Sequence, residues 1–180
     1  NPWDHPAPGR YVHDGFFLRL TLGFGGARVS GDDPSWSGAD IGLCLSIGGS
    51  IVDNLALHAD FQSLLIVSPD AEFKGRDANY DGSISMGSMG IGVTYYFMPI
   101  DIYLSGSVGI GLLTFEDDAG RQYDTDAGLA LNFLIGKEWW VGADWGIGIA
   151  LQLYLMSVHS DIDGDLGAGA LNLLFSATYN

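Results

Sequence analysis

An apolar alternation of period two, repeated in segment after segment, limits this chain more than any other feature. In "FFLRLTLGFG" (16–25) one parity carries Phe16, Leu18, Leu20, Leu22 and Phe24, and the other Arg19, Thr21, Gly23 and Gly25. "DIGLCLSIGG" (40–49) sets Ile41, Leu43, Leu45 and Ile47 against Asp40, Gly42, Cys44 and Ser46. "LALHADFQ" (55–62) sets Leu55, Leu57, Ala59 and Phe61 against Ala56, His58, Asp60 and Gln62. Successive side chains of a strand point to opposite faces, so this is the signature of strand rather than helix. The pattern returns in "MGIGVTYYF", "IYLSGSVGIGLL", "GLALNFLIG", "GIGIALQLYL" and "LNLLFSATY", which makes eight strands.

The two parities do not suit a soluble sheet. One is almost free of polar atoms along whole strands. The other is small or polar and lacks the lysines and glutamates of a solvated face. The chain is 47% hydrophobic yet carries a formal net charge of -15. Both hold together if the apolar parity faces lipid and the acids sit beyond it. The connections agree: "SGDDPSWSGA", "VSPDAEFKGRDANYDGS", "EDDAGRQYDTD" and "HSDIDGDLG" are long and acidic, and they alternate with the shorter "SIVDN", "MPID" and "KEWWVGAD". The reading is all-β, an eight-stranded antiparallel up-and-down transmembrane β-barrel over residues 14–180. Its long loops are extracellular and its termini periplasmic, in a bacterial outer membrane. Residues 1–13 form a proline-rich arm on the periplasmic side. "NPWDHPAPGRYVHDG" has no signal-peptide pattern and resembles a processed N-terminus.

Several classes are excluded. Seven scattered Lys and Arg give no patch for nucleic acid. A single cysteine, Cys44, forms no internal disulfide framework or cysteine-based zinc site. Aromatics instead gather at the short connections, with Trp139, Trp140 and Trp145 around one and Tyr95, Tyr96, Phe97 and Tyr103 around another, while Phe24, Phe115 and Trp36 sit near the opposite rim. With Tyr179, those at the short connections are expected to form an interfacial girdle.

Two stretches, "GVTYYFMPIDIYLSGSVGIG" (92–111) and "IGKEWWVGADWGIGIALQL" (135–153), share a pattern. Each is a strand ending in aromatics, a short turn, then a glycine-alternating strand. In this the chain resembles the small eight-stranded outer-membrane barrel proteins, the OmpA- and OmpW-like group of Gram-negative bacteria. "LNLLFSATYN" resembles the assembly signal of such barrels, except that Asn180 follows Tyr179 where a terminal Phe is usual. The resemblance implies the fold and, on the OmpW side, a conduit for hydrophobic molecules.

An eight-stranded barrel has an interior just wide enough for side chains to fill. The inward polar set is Arg19, His58, Asp60, Gln62, Asn132, Gln152 and Tyr154, expected as a polar core with Arg19 paired to an acid. The alternative is a narrow passive channel for small or hydrophobic molecules, since inward glycines leave space. A third reading, a lipid-modifying enzyme, needs a serine and a histidine in hydrogen-bond reach. His58 beside Asp60, and His159 near Ser157 and Ser160, are the candidates, without a distinctive motif.

The loops carry a sharper signal. "DANYDGS" offers Asp77, Asn79, Asp81 and the Ser83 carbonyl at calcium-loop spacing, and "DIDGDLG" offers Asp161, Asp163 and Asp165. The twelfth position from Asp77 is Ser88, so the bidentate glutamate of an EF-hand is missing. Short Asp, Asn and Gly segments also make ordinary turns. Weak calcium binding, in the millimolar range, is the expectation. The arm, with Trp3 and His5 among prolines, suits docking as a rigid extended segment. Outer-membrane lipid and neighbouring copies, in a homo-oligomer or lattice, are the expected partners. The function that follows is a non-enzymatic structural or surface-interaction role.

Overall fold

The computed structural model describes residues 13, 15–31, 35–67, 69–73, 76–79, 82–161 and 164–179, with 73 and 76–79 as backbone only. Eight long strands form the wall: β1 (Phe16–Ser30), β2 (Ser35–Val52), β3 (Leu55–Val67), β6 (Gly82–Phe97), β7 (Ile102–Asp117), β9 (Gly128–Trp140), β10 (Trp145–Ser160) and β11 (Gly164–Tyr179). Three short strands belong to the outer connections: β4 (Asp70–Phe73), β5 (Arg76–Asn79) and β8 (Gln122–Asp124). Each wall strand pairs antiparallel with its neighbours in the chain, and β1 pairs with both β2 and β11, so the sheet closes on itself. Short turns at 53–54, 98–101 and 141–144 mark one rim, and both ends of the wall lie at that rim.

The first and last of the acidic stretches expected as long loops are largely wall, whereas the second and third carry the short strands β4, β5 and β8. β1 runs to Ser30 and β2 begins at Ser35. The pairing of β10 with β11 continues to Ser160 opposite Gly164. A transmembrane strand needs only about 9–11 residues, whereas these run to 15–18. The excess projects beyond the membrane on the outer side.

The outward alternation inverts along β1 and β10, whereas β3 and β9 keep apolar Val67 and Leu129 outward at their outer ends. On β10 the outward parity is apolar from Trp145 through Leu155, then becomes Ser157 and His159. On β1 it is apolar from Phe16 to Phe24, then Gly26, Arg28 and Ser30. The inward parity changes the other way. Toward the short-turn rim it carries Arg19, His58, Asp60, Gln62, Asn132 and Gln152. Toward the outer rim it carries Val29, Trp36, Leu64, Ile66, Ile84, Met86, Leu113 and Phe115, which form one packed core. Where lipid surrounds the wall, grease faces out; where water surrounds it, grease faces in, as in a soluble barrel.

Inward glycines do not leave the lumen open. A Cβ on Gly136 would lie 2.5 Å from the Tyr103 ring, and one on Gly92 would lie 2.6 Å from His58. These glycines make room for large side chains from neighbouring strands. The lumen is therefore filled.

The inversion makes a direct prediction. Leu151→Arg, at mid-height on the lipid face, is expected to lower unfolding stability by about 2–4 kcal/mol, and Ser157→Arg by at most about 1 kcal/mol. Urea titration of the refolded protein in lipid vesicles measures both.

Candidate functional site

The lumen is built in layers, starting at the short-turn rim. His13, just before β1, reaches into the mouth and stacks on Tyr96 with ring centroids 3.3 Å apart. Its backbone pairs with Asn54, whose carbonyl accepts from the Tyr96 amide. Trp140 faces this mouth as well. Its indole donates to Asp101 at 3.3 Å, and its ring lies 4.9 Å from His13. The girdle position expected for Trp140 is therefore corrected. It alternates with Trp139, which keeps the lipid-facing parity. Tyr95, Phe97 and Trp145 are exposed on the outer wall, and Tyr179 packs edge-on against Trp145 there.

Above the mouth, Arg19 lies fully buried at 1% exposure. Its Nε sits 3.3 Å from Glu138 Oε1, across the barrel on β9. Its Nη2 donates to the Tyr96 hydroxyl at 2.6 Å, and that hydroxyl donates to Glu138 Oε2 at 3.0 Å. Thr178 donates to Glu138 Oε1 at 2.6 Å. The guanidinium also lies over the Tyr103 ring, 3.9 Å from its centroid. A buried charge survives only when paired and hydrogen-bonded, and Arg19 and Glu138 each have several such partners. Glu138 was not anticipated as a lumen residue, and the girdle position expected for Tyr96 and Tyr103 is corrected, since both are buried against Arg19. Their parity is the signal that places them, since each adjoins a lipid-facing residue: Trp139 beside Glu138, Tyr95 and Phe97 beside Tyr96, and Leu104 beside Tyr103.

The next layer joins Asp60, His58, Thr94 and Ser105. His58 Nδ1 lies 2.8 Å from Asp60, His58 Nε2 lies 3.0 Å from Thr94 Oγ1, and Thr94 donates to Ser105 at 2.8 Å. A carboxylate, an imidazole and a hydroxyl in series are the connectivity of a nucleophile triad. No substrate reaches this one, because Thr94 is completely buried. The gap beside Asp60, Gln62, Ser88 and Asn132 holds only about 10 Å³.

An amide layer follows. Gln152 donates to Gln62 at 3.0 Å and to Asn132 at 2.9 Å, while Asn172 donates to Gln152 at 3.2 Å and to Asp40 at 3.0 Å. Tyr154 is buried just above, within the apolar core of the outer half. All seven lumen residues proposed from the sequence are buried inward, in three polar layers and the base of the plug.

The structure describes only part of the two acidic ligand sets at the outer rim. Asp77 and Asn79 lie on the β5 backbone, in register with Glu72 and Asp70 of β4. Ser83 is half-buried at the start of β6, and Asp81 and Asp163 fall outside the described residues. Asp161 lines a cavity in the mouth, whereas Asp165 faces outward and is bonded to His159 at 2.7 Å. That bond, from Asp165 first, holds the His159 imidazole above its ordinary pKa, with Asp126 and Asp161 adding to it. Arg121 binds Asp117 at 2.7 Å, and hydrogen bonds from the Arg121 backbone and side chain hold that carboxyl below its ordinary pKa. Among the described residues, no group of three or more His, Cys, Asp or Glu converges to hold a metal ion. Residues 1–12 of the arm, with Trp3 and His5, lie outside the described residues.

No protein-family model matches this chain, and no curated protein matches it. Solved structures do share its fold. The crystal structure of Neisserial surface protein A aligns with a TM-score of 0.57 over 92% of this chain and 96% of that one, at 13% identity. The solid-state NMR structure of outer membrane protein AlkL in DMPC lipid bilayers aligns with a TM-score of 0.52 over 98% of this chain and 94% of that one, at 14% identity. The fold is that of a small eight-stranded outer-membrane barrel. Its closed wall and apolar belt place it integrally in the outer membrane, with the loops outside.

The Arg19–Glu138 pair sets a clear expectation. Arg19→Met or Glu138→Leu alone leaves an uncompensated buried charge and is expected to cost about 3–5 kcal/mol. The double variant is expected to recover most of that loss. Vesicle-reconstituted urea unfolding of the three variants checks it; equal losses in all three would contradict the pairing.

Proposed function

We propose that this protein is a non-conducting, non-enzymatic barrel that works through its anionic outer rim, in surface interaction and cation binding. The observation that carries this reading is the filled lumen. A hydrogen-bonded polar half and an apolar plug lie one above the other, the plug having Leu64, Ile66, Ile84, Met86 and Leu113 at 0% exposure. Side chains of both kinds would have to move for a solute to pass. That weighs against the passive channel implied by the OmpW-like resemblance. The enzyme reading is weakened by the burial of Thr94 and His58. What the molecule offers to its surroundings is then the rim, where most of its negative charge is gathered.

Calcium suits that rim on physical grounds. The β4–β5 register sets Glu72 opposite Asp77 and Asp70 opposite Asn79. Like charges directly opposite on paired strands repel, and a hard divalent cation relieves the repulsion through oxygen ligands. Asp77, Asn79, Asp81 and the Ser83 carbonyl remain the proposed ligands, with Asp161, Asp163 and Asp165 as a second group.

Two measurements separate these readings. Reconstituted in planar bilayers, the protein is expected to show no unitary conductance above the leak of protein-free membrane; reproducible single-channel steps would overturn the closed-lumen reading. Millimolar calcium is expected to raise the thermal midpoint relative to chelator, and Asp77→Asn with Asp81→Asn to abolish that shift. An unchanged midpoint in the parent protein would remove calcium from the proposal and leave the closed lumen standing.

A further inference from the structure

The outer mouth holds a cavity of about 730 Å³, within the range of small-molecule sites. It lies where β2, β7, β8 and the end of β10 meet. Trp36 and Phe115 line its base, each more than nine-tenths buried, with ring centroids 5.1 Å apart at 57°. Both belong to the apolar plug, so the cavity ends on packed side chains and does not continue into the lumen. Tyr123, about half exposed, lines its flank. Asp117, Asp124, Asp126 and Asp161 line the rest.

We propose that this cavity is a binding site for an organic cation with an apolar or aromatic body, of the alkyl- or aryl-ammonium class. Two features, independent of each other, select that chemistry. The aromatic base takes an apolar body out of water, and ring faces attract a weakly hydrated cation. The carboxylates supply the opposite charge and focus field at the entrance. The field at this rim is already negative enough to act on a neighbour: Asp126 and Asp161 both reinforce the proton on His159. Arg121 offsets only part of it, being held on Asp117 at 2.7 Å. A hard metal ion would use the carboxylates but gain nothing from Trp36, Phe115 or Tyr123, because it wants 6–8 oxygens. A neutral apolar molecule would use the rings and leave the acids uncompensated. An anion is repelled by the whole lining. This site shares Asp161 with the second proposed calcium group but does not depend on calcium binding.

The test uses the full chain in nanodiscs of zwitterionic lipid and three probes of one size: benzyltrimethylammonium, benzyl alcohol and benzoate. Isothermal titration is expected to show one saturable site for the cation, at least about tenfold tighter than benzyl alcohol, and no binding of benzoate. Asp126→Asn with Asp161→Asn is expected to weaken the cation and leave benzyl alcohol unchanged. Tyr123→Ala is expected to weaken both. All three positions are at the surface of the mouth, and heat-modified gel migration confirms that the variants still fold. Absence of saturable cation binding, equal affinity for cation and alcohol, or a double variant that binds the cation as well as the parent would each overturn the proposal.

Discussion

The ladder between β1 and β11, from Leu18 opposite Tyr179 to Ser30 opposite Gly167, joins the two ends of the wall. Without it the sheet would expose two rows of unpaired N–H and C=O groups to hydrocarbon, each costing several kcal/mol. Closure removes both edges. It also fixes which parity faces lipid, because a slip of one residue would turn every side chain of a strand to the other side. The outward leucines of β1 and β11 and the inward Arg19 and Thr178 are consequences of that one register.

Closure in turn creates an interior that must be filled. Eight strands leave room for side chains and little else. The molecule fills that room with two kinds of material. Within the membrane, where the outward parity is spent on apolar contact with lipid, the lumen holds Arg19, Glu138, His58, Asp60 and four amide side chains in mutual hydrogen bonds. Beyond the membrane, the lumen becomes an ordinary hydrophobic core around Trp36, Ile66 and Phe115. Glycines such as Gly136 and Gly92 are the counterpart of bulky neighbours rather than empty space. The rim then inherits the acids that neither layer can hold, and with them the cavity whose base is the plug.

The wall was legible in the sequence because lipid imposes its demand on every second residue of every strand. The inward polar residues followed from the same parity. Three things were hidden. Glu138 and Trp140 sit in "KEWWVGAD", where a dense aromatic cluster reads as girdle and turn although strand parity divides it between lipid and lumen. The outer strand ends read as acidic loops because their outward residues are serine, aspartate and glycine, while the inward Trp36, Val158 and Leu166 were masked by them. The partners of Arg19 come from β6, β9 and β11, and only strand stagger brings those residues to one height. Stagger is a property of the closed barrel and leaves no local mark on a sequence. The cavity at the mouth likewise joins Trp36 to Asp161 across most of the chain.

The single cysteine reports on the central claim without any substitution. Cys44 faces the lumen from β2, 3.9 Å from the Ser46 hydroxyl and 3% exposed. A filled lumen keeps small aqueous thiol reagents away from it. In native membranes, a charged methanethiosulfonate is expected to leave Cys44 unmodified by mass spectrometry for as long as the barrel stays folded, and to react with it promptly after unfolding in urea. Modification of the folded protein at a rate near that of a free thiol would contradict the closed lumen on which this account rests.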